Sequence, residues 1–152
     1  AMTEKLQKTE AVRLIRLAEE ARKQAYAPYS GFLVGAALLA ESGEVYMGCN
    51  IENAAYGPSN CAERTAFFKA VSEGERRFSA IAVVGRPAGT SDSPGRICTP
   101  CGVCRQVMAE FCEPDFVIVA AADENRWILY TLGELLPESF GAQNLEAKEA
   151  CK

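Results

Sequence analysis

Two short cysteine motifs impose the tightest constraint on how this chain can fold. Asn60-Cys61-Ala62-Glu63 follows a turn-forming stretch, Pro100-Cys101-Gly102-Val103-Cys104 follows a long loop, and a helical pattern begins at each motif. Helix N-termini carry partial positive charge, which favours thiolates. The C-x2-C spacing at a helix start lets two sulfurs converge on one ion. We expect Cys61 to join them, so the fold must bring both helix starts together.

The residue types at these motifs suit zinc. Structural zinc sites use four protein ligands, whereas catalytic sites use three and leave the fourth position to water. The chain has no histidine, so cysteine or carboxylate must hold the metal, and we predict Cys61, Cys101 and Cys104 as ligands. Glu63 is predicted to shuttle protons, because zinc lowers the pKa of bound water to about 7 and a neighbouring carboxylate can take its proton.

The charge of such a site needs an offset. Three thiolates on Zn²⁺ leave a net negative charge, which makes the metal a poorer Lewis acid. Arg64 directly follows Glu63, and we predict that it donates hydrogen bonds to the ligand sulfurs. A solvated helix charge is the alternative for this arginine.

The spacing leaves several alternatives open. Asn60 and Glu63 could form a capping-box-like pair that merely starts the helix. Cys98 stands three residues before Cys101, so the thiols could form an open three-thiolate site, a closed four-thiolate structural site or part of an iron–sulfur site. The remaining cysteines, Cys49, Cys112 and Cys151, are predicted to be small core residues.

Composition narrows the class of protein. The 152 residues predict a single domain over residues 1–152, with 49% hydrophobic residues and a net charge of -4. The sequence contains no long run of lysine and arginine. This argues against a nucleic-acid partner, because nucleic-acid binding is largely electrostatic. No apolar stretch is long enough to predict a membrane span. No signal peptide is visible that would predict export. The seven cysteines are an odd number and show no regular disulfide spacing. Clustered cysteines of this kind are typical of metal binding in a cytosolic protein, so we expect a cytoplasmic location.

Hydrophobic periodicity predicts an alternation of helices and strands. On the helix that begins at Gly102 it places Val103, Val107, Met108 and Phe111 on the inward side. Because only four polar residues separate the last two strands, these strands should be antiparallel neighbours. The order α-β-β-α-β-α-β-β indicates a three-layer α/β/α sandwich around a five-stranded mixed sheet. The predicted helices are Thr9–Ala25, Cys61–Ser72 and Gly102–Cys112, the strands are Phe32–Ala40, Glu44–Asn50, Ala80–Val84, Phe116–Ala121 and Trp127–Leu132, Arg86–Pro100 is a long loop, and Gly133–Leu136 is a last helical turn.

The motifs resemble those of the zinc-dependent deaminases, and their order is similar to that of the small homotetrameric cytidine deaminases. The resemblance extends from about Ala21 to Phe140 and implies the same sandwich fold. It is carried by Ala27-Pro28-Tyr29-Ser30, Phe32 to Leu38, Gly48-Cys49-Asn50-Ile51-Glu52-Asn53-Ala54, Cys61 to Ala66, Cys101 to Val107, and Glu134-Leu135-Leu136-Pro137.

The resemblance implies hydrolytic deamination of cytidine and 2'-deoxycytidine to uridine and 2'-deoxyuridine in pyrimidine salvage, with one Zn²⁺ per chain. Glu63 would protonate N3 of the ring, take a proton from the zinc-bound water and deliver one to the departing amine, while the hydroxide attacks C4. The resemblance also implies substrate contacts from Asn50 and Glu52 to the ribose, from Phe32 and the Ala62 backbone to the base, and from Phe140 to a neighbouring subunit's site, with Arg64 and Arg105 moderating the thiolate charge.

Two features depart from the family pattern. Arg86–Arg96 is several residues longer than expected and leads into the extra thiol Cys98, and Thr99 stands where serine is expected. Without the resemblance, Asn50 and Glu52 would be loop caps and Phe32 a strand core residue. Polynucleotide deaminases share the metal motif but usually have His-x-Glu and a basic surface. Deaminases of nucleoside antibiotics are closer relatives, although the blocks around Tyr29 and Asn50 favour cytidine.

Overall fold

The computed structural model describes residues 6–90 and 95–145 of the chain. These described residues form four helices and five strands, and a 3₁₀ turn, Ala142–Leu145, follows them. In chain order the elements are α1 Lys8–Arg22, β1 Phe32–Ala40, β2 Val45–Cys49, α2 Ala62–Ser72, β3 Phe78–Pro87, α3 Gly102–Phe111, β4 Val117–Asp123, β5 Arg126–Thr131 and α4 Leu132–Leu135.

The five strands form one mixed sheet in the order β2-β1-β3-β4-β5. β1 is antiparallel to both β2 and β3, β3 and β4 are parallel, and β5 is antiparallel to β4. The carboxyl ends of β2, β3 and β4 therefore lie at one edge of the sheet, together with the start of β1. Both motif helices begin beyond that edge, where open α/β sheets place their ligands.

The sheet separates two hydrophobic clusters. On one face Leu14, Ile15 and Ala18 of α1 pack on alternate residues of the strands, such as Ala82 and Val119. On the other face α2 and α3 cover the intervening residues, and Phe67 and Met108 are fully buried there. Every central strand is covered on both sides, which explains its continuous apolar sequence.

The predicted architecture is confirmed. The element order, the three layers and the five-stranded mixed sheet agree with the expectation, and the last two strands are antiparallel neighbours. α1 ends at Arg22, three residues before the predicted end. β3 is longer than predicted, because it pairs with β1 as far as Phe32 and Pro87 and so takes in the start of the predicted long loop.

Two side-chain predictions need comment. Val103 was expected to point inward from α3, and this is wrong: 58% of it is exposed. Cys104 occupies the inward position instead, and successive helical residues point about 100° apart. Of the predicted core cysteines, Cys49 and Cys112 are half-buried and Cys151 lies outside the described residues.

Of the helices in residues 6–90 and 95–145, none has the length and apolar character needed to span a bilayer.

Two glycines allow helices to approach the sheet closely. A Cβ built on Gly35 would lie 1.9 Å from the Ala18 carbonyl oxygen and 2.5 Å from the Arg22 nitrogen of α1. A Cβ on Gly48 would lie 2.5 Å from both the Ala62 carbonyl oxygen and the Ala66 nitrogen of α2. These helices rest on the strand backbone, so the glycines set the thickness of the sandwich.

Gly35→Ala is expected to destabilise the protein by about 3 kcal/mol, because the added methyl group must push α1 away from the sheet. Urea unfolding measures this free energy. Gly57→Ala is the matched control, since a Cβ there would meet only the Ala55 carbonyl oxygen at 3.9 Å, and we expect a change within about 0.5 kcal/mol. Equal stabilities for the two variants would contradict the close packing of α1.

Candidate metal centre and active site

The first turn of α2 is fixed to the end of β2. The Thr65 hydroxyl donates to the Cys49 carbonyl oxygen at 2.9 Å and accepts from Nδ2 of Asn60 at 3.1 Å. With Gly48 directly beneath the helix, this seat determines where Cys61 and Glu63 lie. Thr65 and Gly48 belong to the sequence motifs, but the sequence did not indicate that they position α2. A lone glycine inside a strand pattern is the signal that could have indicated the close approach.

The capping-box alternative for Asn60 and Glu63 is wrong. Cys61, with extended backbone, occupies the N-cap position of α2, and no side chain caps this helix end. Glu63 is therefore the second helical residue and not the third. The capping box that the structure does contain lies at the start of α4, where Thr131 and Glu134 exchange hydrogen bonds.

The sulfurs of Cys61, Cys101 and Cys104 come together. The Sγ atoms of Cys61 and Cys101 are 3.7 Å apart, those of Cys101 and Cys104 are 3.4 Å apart, and all three lie within 4.8 Å of one another. Tetrahedral zinc with Zn–S bonds of about 2.3 Å requires sulfurs roughly 3.8 Å apart. The donor set therefore fits Zn²⁺ and leaves its fourth position for a non-protein ligand.

Charge is concentrated at this cluster. A hydrogen bond from Cys104 lowers the pKa of Cys61 despite its partial burial, and Arg64 and Cys101 lower this pKa further. Nη2 of Arg64 donates to the Cys61 sulfur at 3.3 Å, as the sequence predicted. Nε of Arg64 is buried and has no partner among the described residues. The arrangement favours a thiolate at Cys61, which is the form that binds metal.

Glu63 is buried beside the thiols. Only 4% of the residue is exposed. Burial raises the pKa of Glu63 to about 7, and the charge of Cys61 contributes in the same direction. A carboxyl group with a pKa near neutrality can both accept and release a proton under working conditions, which is what a proton shuttle requires.

Arg105 supports the second motif through the backbone. Its Nε donates to the Pro100 carbonyl oxygen and its Nη1 to the Leu135 carbonyl oxygen, both at 2.7 Å. In the part of the chain that the structure describes, no bond joins it to a sulfur. The guanidinium thus ties the turn before Cys101 to the end of α4, and charge moderation by Arg105 stays a prediction.

Cys98 stands apart from the three-thiol cluster. It is absent from the group of converging sulfurs, and its N–H donates to the Ala121 carbonyl oxygen at 3.3 Å, at the end of β4. Burial raises the pKa of Cys98 to about 12, and the charges of Glu63 and Cys61 add to the shift. A neutral thiol outside the cluster favours the open three-thiolate site over the closed four-thiolate alternative.

The predicted sugar-binding residues occupy the same sheet edge. Asn50 accepts from the Val34 N–H at 2.9 Å and donates from Nδ2 to the Phe32 carbonyl oxygen at 2.8 Å. Oε1 of Glu52 accepts from the N–H groups of Tyr29 and Ser30, each at 3.0 Å. Both side chains therefore hold the backbone, as loop caps would. Oε2 of Glu52 makes no hydrogen bond to the described residues.

The three other predicted substrate contacts differ in exposure. Ala62 is fully buried as the first residue of α2, whereas Phe32 is 40% and Phe140 57% exposed. The Phe140 carbonyl oxygen accepts from Nε2 of Gln106 at 2.9 Å, which holds the segment after α4 against α3. The Phe140 ring is therefore available to a neighbouring molecule.

Comparison with known proteins identifies relatives over most of the chain. The family model described as the cytidine and deoxycytidylate deaminase zinc-binding region matches residues 8–120. A cytidine deaminase of Sporosarcina psychrophila is 51% identical over 133 residues, covering 88% of this chain and 93% of that protein. One from Halalkalibacterium halodurans is 52% identical over 132 residues, covering 87% and 95%. The crystal structure of a cytidine deaminase from Burkholderia pseudomallei aligns with a TM-score of 0.75 and 48% identity, covering 84% of this chain and 97% of that one.

The assignment of ligands is tested by zinc content. We expect Cys98→Ser to keep one zinc ion per chain and Cys101→Ser to lose it, because only the second change removes a converging sulfur. Inductively coupled plasma mass spectrometry on the dialysed proteins measures the ratio. Loss of zinc from Cys98→Ser would support a closed site, and visible absorbance of the wild-type protein would indicate iron.

Proposed function

The chain belongs to the cytidine and deoxycytidylate deaminase family, and we propose that it hydrolyses cytidine and 2'-deoxycytidine to uridine and 2'-deoxyuridine, releasing ammonia, in pyrimidine salvage. The observation that carries this proposal is the buried Glu63 carboxyl, two residues from Cys61 in an open three-thiol site. Relatives at about half identity over nearly their whole length bear the name cytidine deaminase.

The proposed mechanism divides the work between the metal and one carboxyl group. Cys61, Cys101 and Cys104 would hold Zn²⁺, which would lower the pKa of water and so make hydroxide available at neutral pH. Glu63 takes the proton released from that water and transfers it to N3 of the cytosine ring, which activates C4 toward attack. After hydroxide adds to C4, Glu63 takes the remaining proton from the new C4 hydroxyl and transfers it to the amine. The C4–N bond then breaks, ammonia leaves and the C4 carbonyl of uridine forms.

Arg64 has a supporting role in this proposal. Its hydrogen bond to the Cys61 sulfur withdraws negative charge from the thiolate. A less electron-rich sulfur leaves the metal a stronger Lewis acid. The three thiolates thus hold the ion firmly without removing its ability to polarise water.

We propose the substrate contacts on the chemistry of the same edge. The free oxygen of Glu52 accepts a ribose hydroxyl, and the amide of Asn50 uses its remaining hydrogen-bonding capacity for the sugar. Phe32 provides an aromatic wall for the flat pyrimidine, and the backbone of Ala62 contacts the base. One carboxylate oxygen of Glu52 accepts from the protein backbone and the other accepts from the sugar. Glu52 thereby orients the nucleoside relative to Glu63.

We also propose a homotetramer in which Phe140 reaches the site of a neighbouring subunit. Large apolar side chains lie exposed on the isolated chain, which favours association. They include Tyr26, Tyr29, Tyr56, Phe68, Val103 and Phe140.

Glu63→Gln tests the proposed function. We expect kcat for cytidine to fall by about 10³-fold with zinc retained, because the amide keeps the shape of the side chain but cannot shuttle protons. Loss of ultraviolet absorbance by cytidine measures the rate. Glu110→Gln, on the exposed side of α3, is the control and should keep wild-type kcat. Substantial activity in Glu63→Gln would contradict the proton-shuttle role.

Glu52→Gln separates sugar binding from loop capping. The variant keeps a carbonyl oxygen for the N–H groups of Tyr29 and Ser30 but turns the second oxygen into a donor. We expect KM for cytidine to rise about tenfold, with kcat and the melting temperature nearly unchanged, because one hydrogen bond to a charged acceptor is lost. Steady-state kinetics and thermal unfolding measure both effects. An unchanged KM with a lowered melting temperature would mean that Glu52 is only a cap.

The proposed assembly is tested by native mass. Multi-angle light scattering is expected to give four times the chain mass of 16.4 kDa at concentrations used in activity assays. Phe140→Ala should keep that mass if its main role is at the neighbouring site, and should raise KM for cytidine. A fully active protein with the mass of one chain would exclude shared active sites.

A further inference from the structure

Gly85 lies near the carboxyl end of β3, at the edge of the sheet that carries the metal site. It pairs with Val34 of β1, so it faces the same side of the sheet as Val34 and Phe32. That side is the one covered by α2 and α3. Val83, two residues earlier on β3, is a buried member of its cluster, whereas Gly85 contributes no side chain.

Two other side chains occupy the space above Gly85. A Cβ built there would lie 2.9 Å from Cε1 and 3.0 Å from Cζ of Phe32, and 3.1 Å from Sγ of Cys98. Carbon atoms do not approach this closely without displacement. The ring edge of Phe32 and the thiol of Cys98 therefore both lie directly over the glycine. The backbone φ of Gly85 lies outside the left-handed region, so space and not backbone strain decides which residue fits.

The space over Gly85 is part of the surroundings of the Phe32 ring. The Asn50 side chain holds the backbone on both sides of Leu33 through its bonds to Phe32 and Val34, which leaves the side-chain torsions of Phe32 to its neighbours. Cys98 is a neutral thiol, and sulfur packs favourably near an aromatic ring. Gly85 thus forms the floor and Cys98 one wall for a ring that remains 40% exposed.

We propose that Gly85 is a positioning residue, whose missing side chain sets how deep the Phe32 ring lies beside the pyrimidine. The inference rests on the proposed function, in which Phe32 contacts the base. Any side chain at position 85 displaces the ring toward the space that the substrate needs. Gly85 acts through Phe32 and does not itself touch the reacting atoms.

Gly85→Ala, Phe32→Leu and the double variant form a cycle that tests this inference. We expect Gly85→Ala to raise KM for cytidine about tenfold while kcat changes less than about threefold, since an aromatic contact to the base is weakened and the proton shuttle is untouched. Zinc content should be unchanged. Gly57→Ala, in the exposed loop, is the matched control and should keep wild-type KM.

The double variant gives the decisive comparison. Leucine lacks the Cε1 and Cζ atoms that the added methyl group would meet, so we expect the double variant to have the KM of Phe32→Leu alone. If Gly85→Ala keeps the wild-type KM, or if the two changes multiply, the inference is overturned.

Failure of the proposed function would look different. Wild-type protein that leaves both cytidine and 2'-deoxycytidine unchanged would contradict that function and not the packing. Thermal unfolding of the wild-type protein, the two single variants and the double variant then tests the packing over Gly85 without substrate. A smaller loss of melting temperature from Gly85→Ala in the Phe32→Leu background supports the contact, and an equal loss in both backgrounds overturns it.

Discussion

The convergence of two helix N-termini on three sulfurs is the constraint on which the rest of the structure depends. Cys61 at the start of α2 and Cys101 at the start of α3 come from segments on either side of β3, yet their sulfurs lie 3.7 Å apart. Holding them there requires both helices to rest closely on one face of the sheet. Gly48 beneath α2 and the Arg105 bonds to the backbone near α3 provide that precision. The packing of α2 and α3 on the sheet thus determines where these two helix ends lie.

Charge balance explains why the surrounding residues are of the types observed. With no histidine in the chain, the metal ligands are all thiols, and their negative charge needs compensation. Helix N-termini and the Arg64 guanidinium supply it from the protein side. Burial acts in the opposite sense on Glu63, whose pKa of about 7 keeps the carboxyl ready to exchange protons. One helical turn thus holds a candidate ligand, the proposed proton carrier and a compensating cation.

Much of this arrangement could be predicted from the sequence, because the periodicities of 2 and 3.6 residues and the C-x2-C spacing are local. The element order followed from them, and so did Cys61, Cys101 and Cys104 as candidate ligands, although the spacing left Cys98 open as a further one. Tertiary contacts decided the rest. Cys98 and Cys104 are equally spaced from Cys101, but Cys98 precedes the helix and pairs through its N–H with Ala121, so its sulfur points elsewhere. In the first turn of α3 the inward residue is Cys104 and not Val103. β3 extends beyond the predicted strand because it pairs with β1. The role of Gly85 depends on a diagonal neighbour in another strand and has no local signal.

The central claim is that this three-thiol site makes the chain a zinc-dependent cytidine deaminase. Its most direct test is to remove the metal from wild-type protein with a chelator, titrate zinc back, and follow cytidine deamination by ultraviolet absorbance. We predict that activity is lost on removal and returns in proportion to zinc, reaching its full value at one ion per chain. Full activity of the metal-free protein, or a zinc-loaded protein that leaves cytidine and 2'-deoxycytidine unchanged, would contradict the account.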